Sequence, residues 1–326
     1  MIAFLGAGNI ATALALVLGK RAKRVTLYSI ESVVTQSINE THQNSKYLVD
    51  SILPRSVTAT DNIEDALKGA RFVFVAVPSS AVAEVLSAAQ PYIEPNAIVV
   101  SITKGIDPET SHPLILKQIE LMPRKLQIRL VILGGPAIAN ELASGEVTAL
   151  VAASAHREAS EAVQQTLSHA QMHISLSDDV IGVGLCSAIK NPYSIALGLC
   201  DGLQVSMNTK GFIYTTALQE MADLVEAAGG QRETAFTIAG AGDLFVSGNS
   251  LHGRNRRYGE KLVTSKSKDP HELGIQTVEG ITATHAAILL AKKHGLKTPL
   301  LNTIHECLSR KTHFSLPFEK FLKGRD

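Results

Sequence analysis

Two lysines stand in sequence contexts that suggest acid–base or anion chemistry. Lys190 lies in the otherwise apolar helical stretch Ala188–Pro192, where a charged amine is costly unless it is paired or deprotonated. Lys104 follows the apolar run Ala97–Ile102, at the strand end where an α/β sheet places its ligands. Each has an ordinary alternative, because Lys190 could extend its amine to solvent and Lys104 could be a loop lysine. Neither lysine alone therefore defines a function.

An aspartate in a glycine turn is followed by a cluster of arginines. Asp243 stands in Gly240–Leu244, and Arg254 opens a run of guanidinium groups suited to binding phosphate. Taken singly, the aspartate is typical of turn chemistry and the arginines of an exposed basic turn. A further loop, Gly134–Ala139, follows an apolar run as the Lys104 segment does. These segments gain meaning from their order behind a motif at the start of the chain.

That motif is Gly6–Ala11, which fits GxGxxA directly after an apolar run and at the start of a predicted helix. Gly6 permits the tight turn, Gly8 lets the backbone approach a pyrophosphate, and Ala11 lets the helix pack on the strand. The pyrophosphate would sit on the free N–H groups and the positive dipole end of the helix. The predicted dinucleotide contacts in the motif are Gly6, Gly8, Asn9, Ile10 and Ala11.

Cofactor choice depends on the end of the second predicted strand. Glu31 follows Ala11 at the spacing expected of the acid that accepts a ribose hydroxyl. The segment Tyr28–Glu31 offers no base for the 2′-phosphate of NADP, so the sequence leans toward NAD. Glu31 could alternatively be an ordinary solvated helix start.

The elements that must position these residues change character along the chain. In the first half, short continuous apolar runs alternate with helix-length segments such as Ile63–Lys68 and Ala81–Ala89, which predicts a parallel, doubly wound sheet. The predicted strands are Ile2–Leu5, Arg24–Tyr28, Phe72–Val77, Ala97–Ile102, Arg129–Leu133, Val147–Ala152 and Met172–Leu176.

The second half is predicted to be all-α. Asp178–Leu199 is rich in Gly, Ala and Leu, which permits close helix packing, and Gly211–Ala228 has a helical apolar face. The tail from Glu279 to Phe321 predicts two or three helices broken at Gly295, Pro299 and Pro317, and Ser265–Glu272 predicts a polar surface loop. We therefore expect a dinucleotide-binding domain over residues 1–177 and a helical substrate and catalytic domain over 178–326.

Composition narrows the function classes. The chain has 326 residues, is 45% hydrophobic and carries a net charge of +1, so we expect no general attraction to nucleic acid or membrane. The apolar run Ile10–Leu18 is too short to span a bilayer and lacks a basic flank, so we expect a cytoplasmic protein. Cys186, Cys200 and Cys307 lack metal-ligand spacing, so we expect buried thiols and no metal site.

Along nearly its whole length the sequence resembles NAD(P)-dependent glycerol-3-phosphate dehydrogenases. The shared motifs are Thr103–Gly105, Gly135-Pro136, Lys190-Asn191, Asn208–Gly211, Glu220-Met221, Gly240–Leu244, Arg254-Asn255 and Val278–Gly280. The resemblance implies an oxidoreductase that interconverts sn-glycerol 3-phosphate and dihydroxyacetone phosphate by hydride transfer with NAD(P). It also implies that the protein supplies glycerol phosphate for phospholipid synthesis and forms a homodimer.

The resemblance also implies residue roles. Lys190 would be the proton acceptor in glycerol 3-phosphate oxidation. The implied substrate contacts are Lys104, Gly135, Lys190, Asp243, Gly253, Arg254 and Asn255. The implied contacts to the cofactor beyond the glycine motif are Lys104, Ala139, Arg254 and Glu279.

The sequence also departs from the bacterial pattern. Gly253 and Ala137 stand where bacterial members usually carry hydroxyl side chains, and the Lys190–Ala196 segment looks closer to archaeal-type members. Two other interpretations are open: another two-domain reductase, such as a ketopantoate reductase, or a non-catalytic NAD(P)H-binding sensor. The Gly-Asp-Leu and Arg-Asn segments favour a triose phosphate substrate over the first alternative. The retained lysines argue against the second.

Overall fold

The chain packs as two compact units. The computed structural model describes residues 1–107, 113–265, 267–309 and 315–324. The first unit comprises Met1–Lys104 and Leu114–Val180, and the second comprises Gly105–Pro113 and Ile181–Asp326. The assignment of residues 1–177 to dinucleotide binding and of residues 178–326 to catalysis stays a prediction.

The first unit is built on an eight-stranded sheet with the order β10-β9-β8-β7-β6-β1-β2-β5. The strands of the chain are β1 (Ile2–Leu5), β2 (Val25–Tyr28), β3 (Gln43–Asn44), β4 (Leu48–Ile52), β5 (Val57–Thr60), β6 (Phe72–Val75), β7 (Ile98–Ser101), β8 (Leu130–Gly134), β9 (Thr148–Ala153) and β10 (Met172–Ser177). The apolar runs predicted the seven strands β1, β2 and β6 to β10, because strands covered on both faces need no polar alternation.

Strand β1 lies in the interior of the sheet and pairs in parallel with β2 and β6. From β5 to β8 all pairs are parallel, which confirms the doubly wound α/β fold class. The expectation of a wholly parallel sheet is wrong at one place, because β8 and β9 pair antiparallel. The intervening helix has six residues and spans about 9 Å, short of the ~16 Å that a five-residue strand covers.

The sequence pattern missed three strands. Strands β3 and β4 form an antiparallel hairpin of their own, and β5 pairs in parallel with β2 at the sheet edge. Their residues alternate between buried and exposed or are mostly exposed, so no continuous apolar run marks them. The hairpin contacts the turn that follows β1.

The helices of the first unit are α1 (Asn9–Lys20), α2 (Ser32–Thr41), α3 (Ile63–Leu67), α4 (Val82–Ala89), α5 (Leu114–Leu121), α6 (Arg124–Gln127), α7 (Ala139–Ser144) and α8 (Arg157–Leu167). Helix α1 is buried continuously from Ala11 to Gly19. A helix that is apolar on all sides belongs inside a core, so α1 is held firmly against the sheet.

In the described part of Ile181–Asp326 the regular secondary structure is all helical, as the sequence predicts. They are α9 (Val180–Gly202), α10 (Met207–Ala227), α11 (Asp243–Asn249), α12 (Arg254–Thr264), α13 (Glu279–Lys293), α14 (Pro299–Ser309) and α15 (Ser315–Leu322). A 3-10 turn (Arg232–Phe236) and a π turn (Ile238–Gly242) precede α11.

Helix α9 forms the centre of the second unit, with every residue from Gly182 to Cys200 buried. Its neighbours approach closely at glycines. A Cβ at Gly198 would lie 2.0 Å from the Arg256 carbonyl oxygen, and one at Gly259 would lie 2.1 Å from that of Ile195. The backbones of α9 and α12 therefore touch, which fixes the residues that both helices carry.

Two of the predicted tail breaks hold and one is wrong. Gly295 adopts a φ of +65° after α13, and Pro299 begins α14. Pro317 does not break a helix, because it lies inside α15, two residues after the first described residue of that helix. Lys266, in the predicted polar loop, and residues 310–314, in the predicted tail, lie outside the described residues.

Helix α9 also has the length and mean hydropathy of a membrane span, but 89% of its most apolar window is buried inside the protein. It therefore has the character of a core helix. All three cysteines are buried and free of disulfides. Burial raises the pKa of Cys200 and of Cys307 to about 12, which makes both thiols unreactive.

Candidate active site

The glycine turn between β1 and α1 has the conformation that its sequence motif requires. Gly6 adopts a φ of +109°, and a Cβ there would lie 2.7 Å from the Ala76 carbonyl oxygen. Gly8 is the N-cap of α1, and a Cβ there would meet nothing within 4 Å. The open space lies over a helix start that no side chain caps and whose first turn has no acidic residue. These residues fit the pyrophosphate of a dinucleotide.

The other residues of the motif divide by burial. Asn9 and Ile10 form the first turn of α1, where Asn9 is exposed and Ile10 is half-buried. Ala11 is fully buried, as close contact between helix and sheet requires. The motif therefore presents its backbone and its first helical residues to a ligand, while Ala11 serves the packing.

An asparagine from the missed hairpin holds the glycine turn in place. Asn44 is fully buried, and its side-chain Nδ2 donates to the Ala7 carbonyl oxygen at 2.8 Å and to Thr12 Oγ1 at 2.9 Å. Its Oδ1 accepts the backbone N–H groups of Lys46 and Tyr47. One amide thus ties the hairpin to the turn. Asn44 is not predictable from the sequence, since a single asparagine in a polar segment carries no distinctive pattern.

The ends of β7 and β8 bring the predicted Lys104 and Gly135 together. Lys104 Nζ donates to the Gly135 carbonyl oxygen at 3.1 Å. Gly135 adopts a φ of +110°, which only glycine takes without strain. Thr103 Oγ1 donates to the Val77 carbonyl oxygen at 2.8 Å and so fixes the loop that carries the lysine. Ala139 is the first residue of α7 and is half-buried.

Lys190 is paired inside the second unit, as its cost in an apolar helix demands. Its Nζ donates to Asp243 Oδ1 and to Ser247 Oγ, each at 2.5 Å. Lys190 is 7% exposed and Asp243 is 1% exposed, so solvent screens the pair little. Ser247 also donates to Asp243 at 3.3 Å. The sequence predicted Lys190 and Asp243 and missed Ser247, which lies one helical turn after Asp243 on α11.

Local backbone features position this pair. Pro192 lies inside α9 and cannot donate to the carbonyl of Ala188, one turn earlier. On the other side, the π turn leads directly into α11, so Asp243 is the first residue of that helix. A Cβ at Gly240 would lie 2.2 Å from the Ala235 carbonyl oxygen, so the turn needs glycine there.

A second network joins α9, α12 and α13. Asn255 Nδ2 donates to Asn191 Oδ1 at 3.0 Å, and Asn255 Oδ1 accepts the Gly280 N–H at 2.9 Å. Glu279 accepts from Asn191 Nδ2 at 3.4 Å and from the Arg254 guanidinium at 3.3 Å. The side-chain amide of Asn255 therefore bonds within the protein at both ends.

Arg254 and Gly253 lie at the exposed edge of that network, at the start of α12. The Arg254 side chain is 54% exposed, so its guanidinium can reach a ligand while it contacts Glu279. Gly253 is the N-cap of α12, and a Cβ there would lie 2.8 Å from the Ser247 carbonyl oxygen. Glycine at this position is thus fitted to the local packing, which accounts for the departure noted in the sequence.

The features of the two units indicate the class of protein, a dinucleotide-dependent oxidoreductase. A sheet that ends in an open glycine turn at a helix start is typical of dinucleotide-binding proteins, and a buried lysine held by a carboxylate is suited to proton transfer. Comparison with known proteins agrees. The family model for the NAD-dependent glycerol-3-phosphate dehydrogenase N-terminus matches residues 1–160, and that for the C-terminus matches residues 179–317.

Relatives and a solved structure carry the same name. The chain is 36% identical to the glycerol-3-phosphate dehydrogenase, NAD(P)+, of Koribacter versatilis and 35% identical to that of Clostridium perfringens, over 94% of this chain and 92% of each relative. The crystal structure of glycerol-3-phosphate dehydrogenase from Coxiella burnetii superimposes with a TM-score of 0.90 at 32% identity, covering 99% of this chain and 98% of that one. The chain belongs to the NAD-dependent glycerol-3-phosphate dehydrogenase family. Its predicted similarity to archaeal members stays a prediction.

Proposed function

We propose that this chain catalyses the NAD(P)-dependent interconversion of sn-glycerol 3-phosphate and dihydroxyacetone phosphate, and so supplies glycerol phosphate for phospholipid synthesis. The observation that carries the proposal is the buried Lys190–Asp243–Ser247 group in a chain of this family. An amine held by two partners at 2.5 Å has a fixed position, which proton transfer to a substrate oxygen requires.

The first unit supplies the proposed contacts to the pyrophosphate of the cofactor. The open turn at Gly6 and Gly8, with Asn9 and Ile10 on the first turn of α1, would hold the pyrophosphate through backbone N–H groups. Lys104 and Ala139 are further proposed contacts in this unit, and Arg254 and Glu279 of the second unit are proposed contacts to the nicotinamide half of the cofactor. When bound, the nicotinamide ring supplies the hydride acceptor for oxidation and the hydride donor for reduction.

Lys190 handles the proton. In the oxidative direction the C2–H bond breaks to release a hydride, while the C2 hydroxyl proton passes to Lys190 Nζ. Lys190 must be neutral when that step begins, and Asp243 and Ser247 then stabilise the ammonium that forms. In the reductive direction the same ammonium returns the proton to the C2 oxygen, after stabilising the negative charge that develops there.

The phosphate end is proposed to bind at the start of α12. The Arg254 guanidinium can grip a phosphate bidentately, and the α12 helix start, with Gly253 as its N-cap, offers backbone N–H groups. The Asn255 side chain is engaged with Asn191 and Gly280, so we assign it the positioning of α12 and assign any substrate contact there to the backbone. Lys104 and Gly135 remain proposed substrate contacts in the first unit.

Three further proposals concern the roles of the two domains, the cellular location and the oligomeric state. We propose that residues 1–177 serve the cofactor and residues 178–326 carry the chemistry. We propose that the protein acts in the cytoplasm. We also propose that it forms a homodimer, as the family resemblance implies.

A substrate panel tests the activity. Purified protein is assayed with dihydroxyacetone phosphate and either NADH or NADPH, then with ketopantoate and with unphosphorylated dihydroxyacetone. We expect turnover of dihydroxyacetone phosphate well above the other two. Preference for ketopantoate would establish the reductase alternative instead. Dinucleotide binding without turnover of any of the three would establish the sensor.

A further inference from the structure

Three side chains meet at the end of β2, where a Rossmann sheet meets the adenosine ribose of its cofactor. Glu31 is the N-cap of α2, and its Oε1 accepts from Tyr47 Oη at 2.6 Å. Its Oε2 pairs with Lys46 Nζ. We call Glu31, Lys46 and Tyr47 the β2-end cluster. Lys46 lies 15 residues beyond Glu31 in the chain, so the fold alone brings a base to this strand end.

The β2-end cluster is fixed to the glycine turn. Asn44 accepts the backbone N–H groups of Lys46 and Tyr47 at 3.3 and 3.1 Å, and donates to the Ala7 carbonyl oxygen. A buried side chain with all its bonds inside the protein holds its neighbours firmly. The position of Lys46 is therefore coupled to the turn proposed to hold the pyrophosphate.

Charge at this strand end is balanced. Hydrogen bonds from Lys46 and then Tyr47 hold the pKa of Glu31 below its ordinary value, so its carboxylate is ionised at neutral pH. A lone carboxylate here would accept a ribose hydroxyl and repel a 2′-phosphate. Lys46 cancels that charge, and its side chain is 49% exposed, so its amine is accessible to a ligand.

We infer that the Glu31–Lys46 pair selects the cofactor in this chain and admits NADP alongside NAD. With NAD, Glu31 accepts the ribose hydroxyl while it keeps Lys46. With NADP, the Lys46 ammonium turns to the 2′-phosphate and Tyr47 retains Glu31. The inference rests on the proposed dinucleotide site. It revises the prediction that NAD is preferred, because that prediction was based only on the absence of a base within Tyr28–Glu31.

Binding measurements on the intact protein test the pair without turnover. Calorimetric titrations of NAD+, NADP+, 5′-AMP and 2′,5′-ADP are made with wild type, Lys46→Ala, Glu31→Gln and Lys20→Ala. Lys20 is the matched control, an exposed lysine at the opposite end of α1. Thermal unfolding of each variant shows whether the hairpin keeps its fold.

We expect wild type to bind NADP+ and NAD+ within about tenfold of each other. Lys46→Ala should weaken NADP+ and 2′,5′-ADP by about 10- to 100-fold, the value of a charge-assisted hydrogen bond, and should change NAD+ and 5′-AMP by less than about threefold. Glu31→Gln should tighten NADP+ and weaken NAD+, and Lys20→Ala should change neither.

Equal losses of NAD+ and NADP+ in Lys46→Ala would overturn the inference, as would unchanged NADP+ binding in Glu31→Gln. If Lys46→Ala unfolds, the Glu31→Gln titration decides alone. Failure of the proposed function is distinguishable, because it would show as absent turnover of dihydroxyacetone phosphate with both dinucleotides. The two adenosine nucleotides report only on the adenosine end.

Discussion

The two units build their sites from different materials. In the first unit the dinucleotide turn consists of backbone groups, and Gly6 and Gly8 contribute by lacking side chains. In the second unit the proposed chemistry depends on ionisable side chains, Lys190 and Asp243, that are almost fully buried. A backbone site is damaged by adding an atom, whereas a paired site is damaged by removing one. The comparison predicts opposite sensitivities, which the following variants test.

The largest effect on turnover is expected at Lys190. Lys190→Ala removes the proposed proton-transfer group, and such groups are worth about 10²–10⁴-fold in rate. Cofactor affinity should stay unchanged, since the glycine turn belongs to the first unit. Steady-state kinetics and a separate NADH titration measure the two quantities. Lys210→Ala is the control, because Lys210 also pairs with an aspartate, Asp201, at 2.7 Å. Turnover of Lys190→Ala within a few-fold of wild type would refute the assignment.

Adding one methyl group should damage the first unit. Gly6→Ala places a Cβ 2.7 Å from the Ala76 carbonyl oxygen at a φ of +109°. The clash and the strained backbone together should lower the free energy of unfolding by about 2–5 kcal/mol and weaken dinucleotide binding. Gly145→Ala is the matched control, since its φ is +88° but its Cβ would meet nothing within 4 Å. Denaturant unfolding measures the free energy of unfolding of each variant. Equal losses for Gly6→Ala and Gly145→Ala would show that the contact with the Ala76 carbonyl oxygen does not cause the effect.

Arg254 tests whether the second unit recognises a phosphate. A lysine offers only a point charge where a guanidinium binds bidentately, so Arg254→Lys should lower kcat/KM for dihydroxyacetone phosphate by about 10- to 150-fold. The low rate with unphosphorylated dihydroxyacetone should change much less. Arg257→Lys, on the same helix, serves as the control. Equal losses on the two substrates would assign Arg254 to the cofactor or the fold.

A buried carboxylate elsewhere in the second unit predicts a pH dependence of stability. Glu220 accepts the Leu300 and Leu301 N–H groups and the Tyr193 hydroxyl, yet burial raises its pKa to about 7. Since this value lies above that of the unfolded chain, its contribution to stability is full below about pH 4.5 and is lost as the pH rises through about 7.

Glu220→Gln isolates this effect from other titrating groups. Between pH 4.5 and 8, wild type should lose about 2–3 kcal/mol of unfolding free energy relative to the variant, since each pKa unit corresponds to about 1.4 kcal/mol. Urea unfolding across this range measures the difference. Parallel profiles for the two proteins would show that Glu220 is already ionised throughout.

The sequence by itself determined what is encoded over a few consecutive residues. The continuous apolar runs located β1, β2 and β6 to β10, because strands buried on both faces are apolar at every position. The glycine motif predicted the turn at Gly6 and Gly8, and the apolar surroundings of Lys190 indicated that its amine would be costly unless paired or deprotonated. The resemblance to a known family placed Asp243 and Lys190 at the same substrate site, and the structure showed that they pair.

Tertiary structure decided the strand direction and the contacts between distant residues. Burial on both faces says nothing about direction, so the antiparallel β8–β9 pair was not predictable. Asn255 and Asn191 are 64 residues apart, and only the folded chain shows that their side chains form a hydrogen bond. Lys46 comes to Glu31 on a hairpin whose residues have no strand pattern. A side chain's electrostatic partner is set by where the backbone returns, and only the folded chain fixes that return.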